Sequence, residues 1–271
     1  QLPVTEVASV DEVVVDGEKI TSYTVDLEKG SVTFEVEPEH HNPVRANTVK
    51  ITYTKANQDA YNSIMDCPYA IVYGGNQNLC VVMGGCEAQP NAYFWCGNHI
   101  VMDPGYFPVT QYNLAGATEE YITGFGKQQS YLVIFKERTV GRTMMSSQYV
   151  TDGSTTYGGD ETGRLTIDLP YIQINDKIGC DLPWTIQLIE NNIVFCNTQG
   201  GVHVVRDSSS ALENNIECIS RNVNGTEMRP GLLNAVRKAG THAVCAFDDD
   251  NRYWVCANGH AYLWDYLLSS W

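Results

Sequence analysis

The residues of greatest chemical reach in this 271-residue chain are its histidines, its nine cysteines and one run of acids. The histidines, His40, His41, His99, His203, His242 and His260, are scattered, with no HExxH pair and no carboxylate triad of the kind that holds zinc. His40-His41 would need distant partners to hold a metal and reads as a pair in a surface loop. Asp248-Asp-Asp-Asn251 has the oxygens for Ca²⁺ but lacks the EF-hand spacing and its closing Glu. It stands between Cys245-Ala-Phe247 and Arg252-Tyr-Trp254, where a hairpin turn is expected.

Nucleophiles fare no better. There is no GxSxG, and Ser208-Ser-Ser210 reads as a polar turn. Cys80, Cys96, Cys196, Cys245 and Cys256 lie in apolar strand-like runs, an environment that raises a thiol pKa and makes it inert. The cysteine count is odd and no CxxC occurs, so the cysteines are expected to be reduced, small buried hydrophobes of a protein made in a reducing cytoplasm. The glycine pairs at Tyr73-Gly-Gly75, Met83-Gly-Gly85, Gly158-Gly159 and Gly200-Gly201 close strands and open no helix, so they make no phosphate cradle. Residues 154–162 read as a long polar connection and less as a binding surface. No catalytic, cofactor-binding or metal-binding residue is assigned, and the chain is read as non-enzymatic.

Composition narrows the class further. A net charge of −15 repels phosphates, which argues against sequence-specific nucleic-acid binding. No apolar run approaches the ~18 residues of a membrane span. The chain starts at Gln1 and not at Met, which suggests a piece of something longer. Aromatics and glycines favour strands joined by tight turns.

The elements follow from periodicity. Residues 1–55 contain neither Cys nor Trp. They alternate as Glu12–Val15, Ile20–Leu27, Ser31–Val36 and Thr48–Thr54, with turns at Asp16-Gly17 and Lys29-Gly30, and are expected to form a small antiparallel β-module. Residues 56–67 carry a helical period ended by Pro68 and are expected to be a linker helix; a second helix is expected over Leu232–Ala239, stopped by Gly240. From residue 68 to 271 an apolar hairpin recurs. Leu79–Val82 precedes Tyr93–Trp95, Tyr131–Phe135 precedes Thr139–Thr143, Asn192–Phe195 precedes Gly201–Val205, and Arg252–Val255 precedes Ala261–Trp264. Leu132, Ile193 and Tyr253 stand 61 and 60 residues apart. Recurrence on this scale predicts an all-β fold, a β-propeller or propeller-like set of antiparallel sheets, although ~40–50 residues is the usual repeat. An Asn258-Gly259 turn is expected to pair Arg252–Cys256 with His260–Asp265 and to bury at least one of Trp254 and Trp264.

Three stretches carry a resemblance: Ile122–Lys127 with Tyr131–Val140; Ile178-Gly-Cys180 with Asn192–Cys196 and Gly200–Val205; and Asn251–Tyr266. Val72-Tyr-Gly-Gly75, Pro90-Asn91 with Trp95, Tyr106-Phe-Pro108 and Val25-Asp-Leu27 with Gly30–Phe34 fit the same pattern. Together they resemble the β-propeller virion proteins of tailed bacteriophages and prophages, the stabilisation, head–tail connector and tail-nozzle type. The resemblance implies a structural role in the virion after synthesis in the bacterial host cytoplasm, and a homo-oligomeric ring around the DNA channel. It also implies contacts with portal, connector or tail proteins; no cofactor is expected from the motifs and no membrane span from the hydropathy. The alternative is a glycan- or surface-binding module of a tail or cell-surface protein, with Trp95, Trp184, Trp254 and Trp264 as stacking surfaces. A propeller hydrolase or lyase would need a convergent acid–base set that the sequence does not offer.

Overall fold

The computed structural model describes Leu2 and residues 7–36, 48–55, 58–74, 80–97, 104–108, 111–117, 120–151, 163–209, 215–241 and 244–271. Among them, strands predominate and only two α-helices occur, α1 (Gln58–Met65) and α2 (Leu232–Ala239), where helical periods were expected. The chain divides into two compact units, Gln1–Tyr61 and Asn62–Trp271, with the division inside α1.

In the first unit, Val7–Val15 turns at Asp16-Gly17, both at positive φ, into the short strand Glu18–Lys19. Its longer partner is Val49–Lys55, which returns antiparallel along its other edge. Val7, Val13 and Val15 are buried. The expected single run Ile20–Leu27 is broken. Tyr23–Asp26 belongs to a separate two-stranded sheet with Ser31–Phe34. Alternation marks a strand but does not say which neighbour it pairs with.

Among its described residues the second unit has four successive antiparallel sheets of three or four strands. Tyr69–Tyr73, Cys80–Gly84, Ala92–Trp95 and Tyr112–Leu114 form the first, in chain order. Ile122–Gln128, Tyr131–Lys136, Val140–Thr143 and Ile172–Asn175 form the second. Gln187–Ile189, Asn192–Asn197, Gly201–Val205 and Ile216–Cys218 form the third. The fourth has three strands, Cys245–Asp249, Arg252–Ala257 and His260–Asp265. The four hairpins read from the sequence are all antiparallel pairs, and those around Leu132, Ile193 and Tyr253 lie in separate sheets. Two insertions stretch the repeat. A two-stranded hairpin, Ser146–Thr151 with Gly163–Asp168, interrupts the second sheet, and α2 separates the third from the fourth.

The sheets stack in series. The first strand of each lies against the first strand of the next. Tyr93, Trp95, Leu132 and Ile134 share a core between the first and second sheets. Val133, Phe135, Ile193 and Phe195 do so between the second and third, and Val194, Val204, Tyr253 and Trp264 between the third and fourth. The Phe135 and Phe195 rings meet at 5.0 Å. Two glycines allow the close approach. A Cβ at Gly124 would lie 2.5 Å from Ile186 Cδ1, and one at Gly126 2.7 Å from Ile193 Cδ1.

Polar side chains tie the junctions in a repeated way. Tyr73, the last residue of the first sheet's first strand, donates to Ser130 O in the first turn of the second sheet at 2.6 Å. Gln128, in the same position of the second sheet, donates to Asn191 O in the first turn of the third, also at 2.6 Å. Its amide also donates to Val205 O at 3.1 Å and accepts from Ser208 N at 2.9 Å. The third sheet has Ile189 at that position. Its junction is tied instead by Tyr253 Oη donating to Thr185 O at 2.7 Å and Gln187 Nε2 to Ala246 O at 3.0 Å.

Gly126→Val is expected to destabilise the second unit by about 1–3 kcal/mol, because the new side chain must displace Ile193. Urea unfolding measures it; an unchanged midpoint would mean that the second and third sheets do not pack through this face.

Candidate functional site

Burial disposes of most nucleophile candidates. All nine cysteines are free thiols, and six of them are buried. Burial pushes the Cys67, Cys80 and Cys180 thiols up to about 12, and Cys196 is also raised well above the ordinary thiol value by burial. A thiol held protonated in this way is a poor nucleophile at neutral pH. Cys245 departs from the expectation. It is exposed, and its cross-strand partner Cys256 is half-buried. Both point to the face of the fourth sheet opposite Tyr253, and among the described residues no further sheet packs on that face.

His203 is a core residue. Its ring stacks on Phe195 at 5.5 Å, Nδ1 lies 3.0 Å from Gly201 O, and burial lowers its pKa. Ser208 is buried, with its backbone in the Gln128 tie. The expected hairpin turn is present but shorter: Asp250 and Asn251, both at positive φ, make it, while Asp248 and Asp249 are paired residues of the strand Cys245–Asp249. Arg252 lies 3.4 Å from Asp250 and 3.9 Å from Asp265, so these carboxylates are engaged in ion pairs. Among the described residues, no three His, Cys, Asp or Glu side chains come together as metal ligands. His40, His41, His99, His242, Gly75, Ser210 and the glycine pair and polar stretch within residues 154–162 lie outside the described residues.

The tryptophans are dispersed. Trp95 and Trp264 are buried, as expected for at least one of the C-terminal pair. Asn258 (φ 49°) and Gly259 (φ 76°) make the turn that places Trp264 opposite Tyr253, on the face away from Trp254. Trp254 stacks on Phe247 at 5.7 Å with the planes 8° apart. Trp184 is 56% exposed and lies 6.4 Å from the Tyr69 ring.

Two features were not singled out by the sequence reading. The first is a cleft of about 380 Å³ lined by Arg206, Glu217, Cys218, Ile219, Arg221, Asn222, Trp264 and Ser269. Arg206 and Glu217 already pair across it at 3.3 Å, and Trp271 Nε1 donates to Ile219 O at 2.8 Å beside it. The second is a buried cation. The Lys136 side chain is 1% exposed, with its Nζ 3.7 Å from Glu120 Oε2 and 5.9 Å from the centre of the Tyr171 ring. Thr139 Oγ1 donates to the same Glu120 oxygen at 2.9 Å. Burial pulls the Lys136 amine below the ordinary lysine range, while Glu120 pulls it back up. Burial also raises Tyr171 to about 12. A lowered lysine pKa is a feature of catalytic amines. Here the amine is enclosed, which suits a structural ion pair closing the hairpin Tyr131–Thr143 and not attack on a substrate carbonyl. A lone Lys between apolar Phe135 and acidic Glu137 gave no sequence signal of burial.

No protein-family model matches the chain, and no curated protein sequence matches it significantly.

Glu120→Gln is expected to cost about 3 kcal/mol at neutral pH, because it leaves a buried ammonium without its carboxylate. The folded-state pKa of Lys136 lies below the unfolded value of about 10.4, so the penalty of burying the charged form is present at low pH. It fades as pH rises through the folded value, because the neutral amine no longer needs the carboxylate. The difference in urea stability between wild type and Glu120→Gln should therefore shrink as pH rises through the lowered folded-state value toward the unfolded one. A pH-independent difference would mean that Lys136 is already neutral or is solvated.

Proposed function

We propose that the chain is a non-enzymatic structural component of a phage or prophage virion, a propeller-type protein of the connector or tail around the DNA channel. The observation that carries this reading is the serial tie between sheets. The polar side chains of Tyr73, Gln128 and Tyr253 are bonded to backbone carbonyls of the neighbouring sheet. Their hydrogen-bonding capacity holds the stack together, which suits a load-bearing part. The acidic balance suits a conduit that must not hold its nucleic-acid cargo. The resemblance of Ile122–Lys127 with Tyr131–Val140, of Ile178–Cys180 with Asn192–Cys196 and Gly200–Val205, and of Asn251–Tyr266 to phage propeller proteins supplies the class. Portal, connector or tail proteins are the expected partners. Synthesis in the bacterial cytoplasm followed by residence in the virion is the expected location. No helix of the described residues is long and apolar enough to cross a membrane.

One observation favours the second reading, a glycan- or surface-binding module. Trp184 is exposed beside Tyr69, a pair on which a sugar ring can stack.

Particles purified after prophage induction, analysed by mass spectrometry and by labelling with antibody to this chain, test the first reading. The expected result is a fixed copy number per particle, with label at the head–tail junction or tail. Absence from intact particles overturns it. The purified protein is expected to bind duplex DNA more weakly than about 1 µM at ~150 mM salt. If a glycan array gives specific binding that Trp184→Ala abolishes, the second reading replaces the first.

A further inference from the structure

The fold sets several free cysteines next to one another, and most of these neighbours are closed to solvent. Cys67 and Cys86 share a small core beside the first sheet, and Cys80 and Cys96 share the core between the first and second sheets. The Cys180 thiol lies 3.5 Å from Cys196 O. All six are buried. Cys245 and Cys256 are different. They stand directly opposite each other in the adjacent strands Cys245–Asp249 and Arg252–Ala257. Residues so placed in an antiparallel pair project to one face, with Cα atoms about 4.5–5.5 Å apart. A disulfide needs a Cα separation of about 4.4–6.8 Å, so the strands need not move to be bridged. Cys245 is exposed and Cys256 half-buried. The same row ends in exposed Ala261, whose methyl group is too short to cover the sulfurs. The next row is walled by the stacked rings of Phe247 and Trp254. Burial first, and then the nearness of Cys245, pushes the Cys256 thiol up.

We propose that Cys245 and Cys256 form a redox modification site, a dithiol that a small-molecule disulfide of the glutathione type converts into a cross-strand disulfide. Exposure makes Cys245 the entry point. Its thiolate attacks one sulfur of the oxidant, the oxidant's S–S bond breaks, and one small thiolate leaves with the electron pair. Cys256 then gives its proton to water and attacks the Cys245 sulfur. The mixed S–S bond breaks and the second small thiolate leaves. Two protein thiols are oxidised, and one small disulfide is reduced to two thiols. The raised thiol of Cys256 suits the second step, where its target is already beside it and needs no encounter from solution. The bond would clamp the strand Cys245–Asp249 at the end away from its turn. That strand also carries Ala246 O, which accepts the Gln187 tie from the third sheet. Oxidation therefore fixes an edge strand on which the last junction depends. The site rests on the register of one hairpin, so a failure of the virion reading leaves it standing.

The test treats the full 271-residue chain, reduced and freed of reductant, with oxidised glutathione at about pH 8, near the ordinary thiol pKa. Intact mass and tryptic peptides are read. The expected product is a single chain lighter by two hydrogens. Its fragment 239–252 is joined to 253–271, and the other seven thiols remain free. Cys256→Ser is expected to stop as a lasting glutathione adduct at Cys245, and Cys245→Ser to stay unmodified. Amide hydrogen exchange along Cys245–Asp249 should be slower in the oxidised wild type than in the reduced one. A wild type that does not react overturns the proposal. So does a wild type that keeps its glutathione, or one that cross-links two copies. A bond between any other two cysteines overturns it as well. Exchange that is no slower after oxidation overturns the clamp.

Discussion

A β-sheet whose two faces are both apolar must be covered twice, and the architecture of the second unit follows from that constraint. The second sheet shows it most fully. Leu132 and Ile134 point one way and Val133 and Phe135 the other, and all four are completely buried. Each apolar side chain removed from water contributes about 1.5–3 kcal/mol, so neither face can be left open without a large loss. A single sheet cannot meet that demand alone, and a series of sheets can. Stacking then imposes its own requirement. First strands must lie close together, and the glycines at 124 and 126 provide the room into which Ile186 and Ile193 project.

The same geometry decides what happens to polar groups. Where sheets press together, a carbonyl in a turn is in danger of losing water without gaining a donor, at a cost of about 1–3 kcal/mol. Tyr73 and Gln128 answer this for Ser130 and Asn191. Tyr253 answers it for Thr185. A group used in this way is immobile and shielded. Catalysis asks for a group that is shielded yet reachable by substrate, and these residues meet only the first condition. Lys136 is the extreme case, a charge tolerated inside because Glu120 and Thr139 enclose it in a small polar network.

The hairpins were legible because turn chemistry and alternation are local. Asn258-Gly259 needs positive φ at both positions, and its sequence says so. The pairing of Val49–Lys55 with the N-terminal strand was not legible, because the partners lie between 34 (Val15 and Val49) and 48 (Val7 and Lys55) positions apart and each strand alternates alike. The inserted hairpin within the second sheet was equally hidden, which is why the repeat looked too long for its strands. The sites were harder still. Exposure of Cys245 depends on whether a sheet follows, and its apolar neighbours Val244 and Ala246 argued for burial. The enclosure of Lys136 comes from Tyr171 and Glu120, which reach it through tertiary packing.

The fourth sheet carries this logic to its edge. Along its far face, Asp249, Arg252 and Asp265 line the end nearest the first turn, and Trp254, Cys256 and Leu263 lie beyond. The covered face of the second sheet has the same gradient. Gln128 and Arg142 stand near its first turn, and Phe135 and Val140 lie farther along. In the second sheet the polar end is where Gln128 reaches the next turn and Arg142 reaches Ser208 O, while the apolar end fills the core. A surface evolved only to face water would not need apolar side chains graded in that order. The far face of the fourth sheet is graded in the same order as the covered face of the second, from charged groups beside its first turn to apolar groups beyond.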